Sequence, residues 1–139
     1  MNTDKIRQRF LDFRRRLYVD HDLSAVDDYL HPEFRSDSPL IREAGIAAYK
    51  QFVQGFYRGV PDLRPVEQFV LVEGGYLMAM TSWTATHTGP FLGREPTGKK
   101  LMFSTADRYE LRDEKLFRHW DVVDRLSASI AIGLLQDAR

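Results

Sequence analysis

The hydrophobic positions in the first part of the chain recur with helical spacing. Over residues 2–20 the apolar side chains follow one another at steps of four, three and four, and so share one helix face: Ile6, Phe10, Phe13 and Leu17. A short second helix is predicted to begin after Asp22 and to end before Pro32, because proline disfavours helical geometry in the preceding residue. A third amphipathic helix is predicted over residues 42–58.

Two polar stretches interrupt this pattern. The arginine run at residues 14–16 lies within the first helix, and we expect it to form the solvated flank of that helix, since a phosphate-binding patch would need more clustered charge. Residues 33–40 are polar and contain Pro39, which predicts a loop over or beside a cavity.

The second part of the chain changes to a period of two. Four segments rich in β-branched and aromatic residues predict strands: residues 66–72, 75–88, 100–111 and 115–123. The pair Gly74-Gly75 predicts a tight hairpin, and a last short helix is predicted from Leu126 onward. Helices followed by antiparallel strands are typical of α+β domains. We therefore predict one domain over residues 1–139, an α+β barrel in which a cone-shaped, curved antiparallel sheet wraps around the N-terminal helices and encloses an apolar pocket.

The last two predicted strands carry ionisable residues on their apolar faces. Successive strand side chains point to opposite sides, so Asp107 shares a face with Leu101 and Phe103, and His119 and Asp121 share a face with Phe117. Such a conflict between pattern and chemistry is typical of a functional site.

The loop between these strands decides how the two faces are combined. A three-residue loop, 112–114, sets Asp107 opposite His119, whereas a two-residue loop, 113–114, sets Asp107 opposite Trp120. We favour the three-residue loop because it groups the ionisable and apolar residues on one wall.

Carboxylates and a histidine on an apolar wall suit general acid–base catalysis. Burial raises the pKa of a carboxyl group, so that Asp107 or Asp121 would exchange protons near neutral pH. The alternative for Asp121 is a salt bridge, for example with Arg118 or Arg125. The pair His119-x-Asp121 is also typical of non-haem iron sites, but no further histidine stands at a supporting spacing, so no metal is predicted.

Other side chains are candidates for binding a hydrophobic substrate. His87 ends a strand beside the long connection 89–99, where it either contacts a ligand or is exposed. The remaining candidates are polar or aromatic residues that either line a pocket or belong to the core: Tyr49, Trp83, Phe103, Thr105 and Phe117.

Composition excludes several classes of function. The 139 residues are 43% hydrophobic, enough for one domain with a core, and 20 basic residues balance 20 acidic ones. A net charge of zero gives no field for nucleic acid or an anionic membrane, so neither is an expected partner. The absence of cysteine excludes disulfides and thiol chemistry, and the absence of an apolar leader predicts a cytoplasmic protein.

Three segments carry a family resemblance: YLHPEF at 29–34, THTGPFLGREPTG at 86–98 and HWDVVD at 119–124. With them the whole chain resembles the SnoaL-like polyketide cyclases, within the superfamily of ketosteroid isomerase, scytalone dehydratase and nuclear-transport-factor-like cone folds. The resemblance implies the same fold, no metal, no cofactor, and a homodimer or higher homo-oligomer formed through the open side of the sheet.

The resemblance also implies a role for particular residues. In the cyclases of this family the acid/base is an aspartate on the last strand, and Asp121 occupies the matching place. A pocket-facing polar pair on the preceding strand matches Thr105 and Asp107, and the aspartate at 107 departs from the family pattern.

These observations give one leading hypothesis and two alternatives. The leading one is a cofactor-independent acid–base enzyme, an aldol-type cyclase, isomerase or dehydratase, acting on a hydrophobic cyclic or polyketide-like carbonyl compound. Asp121 would remove a proton next to the carbonyl, Asp107 and His119 would tune or relay it, and protonated Asp107, His119 or His87 would bind the enolate oxygen. The alternatives are a non-catalytic small-molecule-binding or interaction module and a hydroxylase-type accessory in polyketide biosynthesis.

Overall fold

Four α-helices and a π-helical turn lie against one face of a sheet in the computed structural model, which describes residues 2–41 and 45–136. The predicted first helix is confirmed as α1, Thr3–Arg14, which continues into a π-helical turn, Arg15–Val19. The others are α2, Ala25–Tyr29; α3, Ile46–Gly59; and α4, Leu126–Ala131. The predicted start of the third helix at residue 42 lies outside the described residues. None of these helices is long and apolar enough to span a membrane.

Five strands form one mixed sheet in the order β1-β5-β4-β3-β2. They are β1, Leu30–Ser36; β2, Arg64–Glu73; β3, Tyr76–Thr86; β4, Lys100–Arg112; and β5, Lys115–Asp124. All neighbours pair antiparallel except β1 with β5, which are parallel. The predicted α+β class and the four predicted strands are confirmed, whereas the sheet is mixed and is not closed.

The additional strand β1 lies where the sequence predicts helix end and polar loop. Its Pro32 lacks a backbone N–H, and a sheet edge tolerates proline because an edge strand leaves half of its N–H groups unpaired. The strand brings Ser36 beside His119 in register, and the backbone N–H of Asp37 donates to the carbonyl of His119 at 2.7 Å. The loop prediction for residues 33–36 is therefore wrong.

The two faces of the sheet differ in exposure. Along β3 the side chains alternate, so that Leu77 and Ala79 are buried against the helices while Met78 and Met80 are exposed. Exposed apolar side chains on this outer face form what we name the outer patch: Phe69, Leu71, Met78, Met80, Met102, Trp120 and Val122.

The hairpin between β4 and β5 differs from the favoured prediction. Its turn consists of Asp113 and Glu114, both with positive φ, 52° and 59°, as a type I′ turn requires. Phe117 is then an extra residue on β5, because Glu110 pairs with Arg118 while the next pair is Leu111 with Leu116.

This bulge sets the register of the ionisable residues. Asp107 lies opposite Asp121, and His119 lies opposite Tyr109, so the predicted pairing of Asp107 with His119 is wrong. The one extra residue nevertheless compensates for the shorter turn, and all three ionisable side chains remain on the inner face, where all are buried.

Candidate active site

The cavity on the inner side of the sheet has two adjoining chambers. An inner chamber of about 60 Å³ is lined by four buried polar or charged side chains, and an outer chamber of about 380 Å³ is mainly apolar. Lining residues common to both are Leu40, Phe52, Phe56, Phe103 and Val123. A mostly apolar space with a few polar groups at one end is the usual form of a small-molecule site.

Seven of the nine sequence-predicted site residues line this cavity. The inner chamber is lined by Asp107, His119, Asp121, Tyr49, Trp83, Thr105 and Phe103, the last of which also lines the outer chamber. The indole N–H of Trp83 donates to the Thr105 hydroxyl at 2.9 Å, which holds Thr105 in place.

The other two predicted residues lie elsewhere. His87 is fully buried beneath the 89–99 connection, and its Nδ1 accepts the backbone N–H of Thr97 at 3.2 Å. Phe117 packs against the ring of His31 and under the guanidinium of Arg112, 3.7 Å from its centroid. Neither lines a chamber, because the connection folds back over His87 and the bulge turns Phe117 away.

Arg14 is the main site residue that the sequence analysis missed. It is 2% exposed rather than solvated, and its guanidinium donates to Asp107 Oδ2 at 2.9 Å and to Thr81 Oγ1 at 3.2 Å. The guanidinium also lies 4.7 Å and 5.0 Å from the ring centroids of Phe10 and Trp83. The expectation of a solvated arginine run is thus wrong for Arg14.

A chain of hydrogen bonds continues from Asp107 to β1. His119 Nε2 donates to Asp107 Oδ1 at 2.7 Å, and the Ser36 hydroxyl lies 2.8 Å from His119 Nδ1. Since Ser36 Oγ accepts the backbone N–H of Ser38 at 3.2 Å, its own proton is free to point to Nδ1. This network places a proton of His119 on Nε2, the nitrogen that faces the Asp107 carboxylate.

The same contacts determine the ionisation of Asp107. Burial alone would raise the pKa of this carboxyl group, but the charge of Arg14 and the hydrogen bond from His119 outweigh it, and the pKa is lowered. Asp107 is therefore ionised at neutral pH and is not the protonated donor that the sequence analysis considered.

Asp121 has a different environment on the same wall. It is 9% exposed, and its Oδ1 is buried without a hydrogen-bond partner among the described residues. Its Oδ2 lies 3.9 Å from His119 Nε2, which is too far for a hydrogen bond. The proton on Nε2 is donated to Asp107 instead. Asp121 thus keeps both carboxylate oxygens available to a ligand.

Neutral hydroxyl groups share the inner chamber with this carboxylate. Burial raises the pKa of Tyr18 and of Tyr49 well above the ordinary tyrosine value, so both keep their protons. Thr105 accepts the indole proton of Trp83 and can donate its own. These groups are hydrogen-bond donors for an oxygen that becomes negative during a reaction.

The three ionisable groups also satisfy the first condition for a metal site. One ligand atom from each of Asp107, His119 and Asp121 lies within 4.8 Å of the others. However, Asp107 and His119 use these atoms in bonds to each other and to Arg14 and Ser36, and a buried guanidinium repels a cation. The arrangement fits proton transfer better than metal binding.

Comparison with known proteins identifies relatives of the whole chain. The family model for SnoaL-like polyketide cyclases matches residues 8–131. Among solved structures, AclR of Streptomyces galilaeus, described as a candidate hydroxylase, matches with a TM-score of 0.88 and 23% identity, covering 99% of this chain and 91% of its own. No protein with a curated description matches.

Two further solved structures have slightly higher identity. TsrD of Streptomyces laurentii matches with a TM-score of 0.86 and 26% identity over 97% of this chain and 99% of its own. A candidate polyketide cyclase from Acidithiobacillus ferrooxidans matches with a TM-score of 0.82 and 27% identity over 94% of this chain and 95% of its own.

Proposed function

The chain belongs to the SnoaL-like polyketide cyclase family, and on that premise we propose that it is an acid–base enzyme acting on a hydrophobic, cyclic or polyketide-like carbonyl compound. One observation carries the proposal: Asp121 is a buried carboxylate whose Oδ1 has no hydrogen-bond partner in the described chain and which lines the cavity. An oxygen without a donor in the protein is free to take a proton from a ligand in the cavity.

The proposed reaction begins at the inner chamber. Asp121 removes a proton from the carbon next to a carbonyl, which leaves an enolate whose negative charge lies mainly on oxygen. Tyr18, Tyr49 and Thr105 line the same chamber and donate hydrogen bonds to that oxygen. The enolate then reacts in one of three ways, and each uses the proton held by Asp121. In a cyclisation its carbon attacks a second carbonyl and the new alkoxide takes the proton, and in an isomerisation a conjugated enolate takes the proton at another carbon. In a dehydration a hydroxyl group on the next carbon leaves and takes the proton as water.

Asp107 and His119 have a supporting part in this proposal. Both hydrogen-bonding nitrogens of His119 and both oxygens of Asp107 are engaged within the network. They therefore hold the negative charge of Asp107 and the ring of His119 at fixed places beside Asp121, and the proton itself moves only through Asp121.

Exchange of hydrogen for deuterium tests the base directly, because cyclisation, isomerisation and dehydration all begin with enolate formation. We expect the protein to accelerate exchange at the α-carbon of 2-tetralone in D₂O, followed by NMR. Asp121→Asn should lose roughly a hundredfold or more of this acceleration, the usual contribution of a general base. Asp124→Asn, at the end of β5 and exposed, is the matched control.

The same experiment separates the alternative functions. A ketone that binds without any accelerated exchange would contradict the enzyme proposal and favour the binding module. Equal acceleration by the wild type and by Asp121→Asn would remove Asp121 from the mechanism. For a substrate found later, the mass of the product distinguishes the reactions. Cyclisation and isomerisation leave the mass unchanged, and dehydration lowers it by one water. Hydroxylation, the reaction named in the description of AclR, raises it by one oxygen.

We also propose that the outer patch joins copies of this chain as a homodimer or higher homo-oligomer. Met80 is 63% exposed on a contiguous apolar surface, which water would disfavour in a monomer. Light scattering should show a smaller assembly for Met80→Lys than for the wild type. Val19→Lys, an exposed apolar residue outside the sheet, is the control, and equal masses for all three proteins would contradict the proposal.

A further inference from the structure

The charged residues of the outer chamber are all of one sign. Arg58 and Arg125 line it, and no carboxylate lines it in the part of the chain that the structure describes. The other walls are apolar or weakly polar, with the rings of Phe52, Phe56 and Phe91 packed in sequence at centroid distances of 4.9 Å and 5.7 Å.

Neither of these arginines is neutralised within the described residues. Buried Arg14 pairs with Asp107, and partly buried Arg16 pairs with two aspartates, whereas neither Arg58 nor Arg125 comes within 4.0 Å of a described carboxylate oxygen. Two unpaired guanidinium groups at one apolar opening give a local positive potential although the net charge of the chain is zero.

Strand β5, which Arg125 directly follows, gives the separation of the Cα atoms of this arginine and of the proposed base. Asp121 lines the inner chamber, Val123 lines both chambers, and Arg125 lines the outer one, at alternate positions along the chain. A strand rises by roughly 3.3 Å per residue, so the Cα atoms of Asp121 and Arg125 are about 13 Å apart. That span suits an elongated ring system better than a single ring.

We propose that the outer chamber binds a carboxylate at the far end of an elongated, multi-ring substrate whose reacting ketone lies beside Asp121. This inference rests on the proposed function in taking the cavity as the substrate site. Guanidinium groups bind carboxylates by paired, charge-assisted hydrogen bonds. The aromatic walls contact the ring faces between the two polar ends.

The test compares two probes that differ in charge. Calorimetry measures the binding of anthraquinone-2-carboxylate and of anthraquinone-2-carboxamide, which has the same ring system without the charge. We expect the wild type to bind the carboxylate about three- to tenfold more tightly, as partly exposed ion pairs allow. The double variant Arg58→Gln/Arg125→Gln should lose that preference and bind the amide unchanged.

The controls separate this inference from the proposed reaction. Arg35→Gln removes an exposed arginine that lines neither chamber and should keep the preference. Equal binding of the two probes by the wild type, no binding of the carboxylate, or equal losses for both probes in the double variant would overturn the inference, whatever the exchange experiment shows.

Discussion

Two carboxylates face each other across β4 and β5, and their surroundings differ. Asp107 and Asp121 are a cross-strand pair, 5% and 9% exposed, on the same wall of one chamber. Asp107 has a donor on each oxygen, from Arg14 and His119. Asp121 has no hydrogen bond to its buried Oδ1 among the described residues.

This difference in surroundings is the basis on which we propose two functions for one residue type. Removing a carboxylate from water is costly, and at Asp107 the guanidinium and the imidazole offset that cost within the protein. At Asp121 no described residue donates a hydrogen bond that would offset it, and we infer that a ligand completes the site. We infer that Asp107 stabilises the folded site and that Asp121 reacts.

The largest expected effect on stability comes from removing the charge of Asp107. Asp107→Asn keeps an acceptor for His119 but leaves the guanidinium of Arg14 buried and unpaired. Breaking a buried ion pair in this way typically costs about 3–5 kcal/mol. We expect a loss of that size in the free energy of unfolding, measured with urea, whereas Asp121→Asn should lose little or gain.

A second substitution makes this prediction specific. Adding Arg14→Met to Asp107→Asn removes the unpaired charge, and we expect much of the stability to return. Arg15→Met, at the next position but with a 59% exposed side chain, is the matched control and should change little. Equal stability of Asp107→Asn and the double variant would show that the ion pair does not hold this wall.

The helical periodicity of the sequence indicates that Arg14 is buried, although its charge suggests the opposite. Phe10, Phe13, Arg14 and Leu17 occupy positions i, i+3, i+4 and i+7, the full apolar stripe of a helix, so periodicity places Arg14 inward with its neighbours. The charge of the arginine run suggested a solvated flank, which describes Arg15, whereas Arg16 is partly buried and Arg14 is fully inside.

Other parts of the site depend on tertiary contacts that leave no comparable signal. The α+β class and four strands follow from the change of period. The bulge at Phe117 does not, since no residue type there requires it, and it decides which residue faces Asp107. Strand β1 and Ser36 depend on parallel pairing with β5, a contact between segments more than 80 residues apart.

Protonation of Asp107 by acid removes the same ion pair reversibly, and the expected loss of stability is smaller. The pKa of Asp107 is lowered in the folded protein, so on acidification the unfolded chain binds the proton first, near the ordinary carboxyl value of 3.8. Below that value the unfolded state holds more protons than the folded state, and stability falls until the pH passes the folded pKa.

Urea unfolding over a series of acidic pH values should therefore show a steeper loss of stability for the wild type than for Asp107→Asn. The pKa values of Asp22 and Asp62 are also lowered, but these residues titrate in both proteins and do not contribute to the difference. Parallel curves would mean that Asp107 does not have a lowered pKa in the folded state.

The smallest effect is expected at the far end of the network, where Ser36 holds the other nitrogen of His119. Ser36→Ala leaves Nδ1 buried without its donor, which should cost about 1–2 kcal/mol of stability. Nitrogen NMR should show a proton of His119 on Nε2 in the wild type, because Asp107 accepts it, and a changed chemical shift of Nδ1 in the variant, because that nitrogen loses the Ser36 hydroxyl. Ser82→Ala, on the outer face of β3, should leave both unchanged. A wild-type spectrum with the proton on Nδ1 would reverse the direction of the network, and His119 would then offer a basic nitrogen to the same chamber as Asp121.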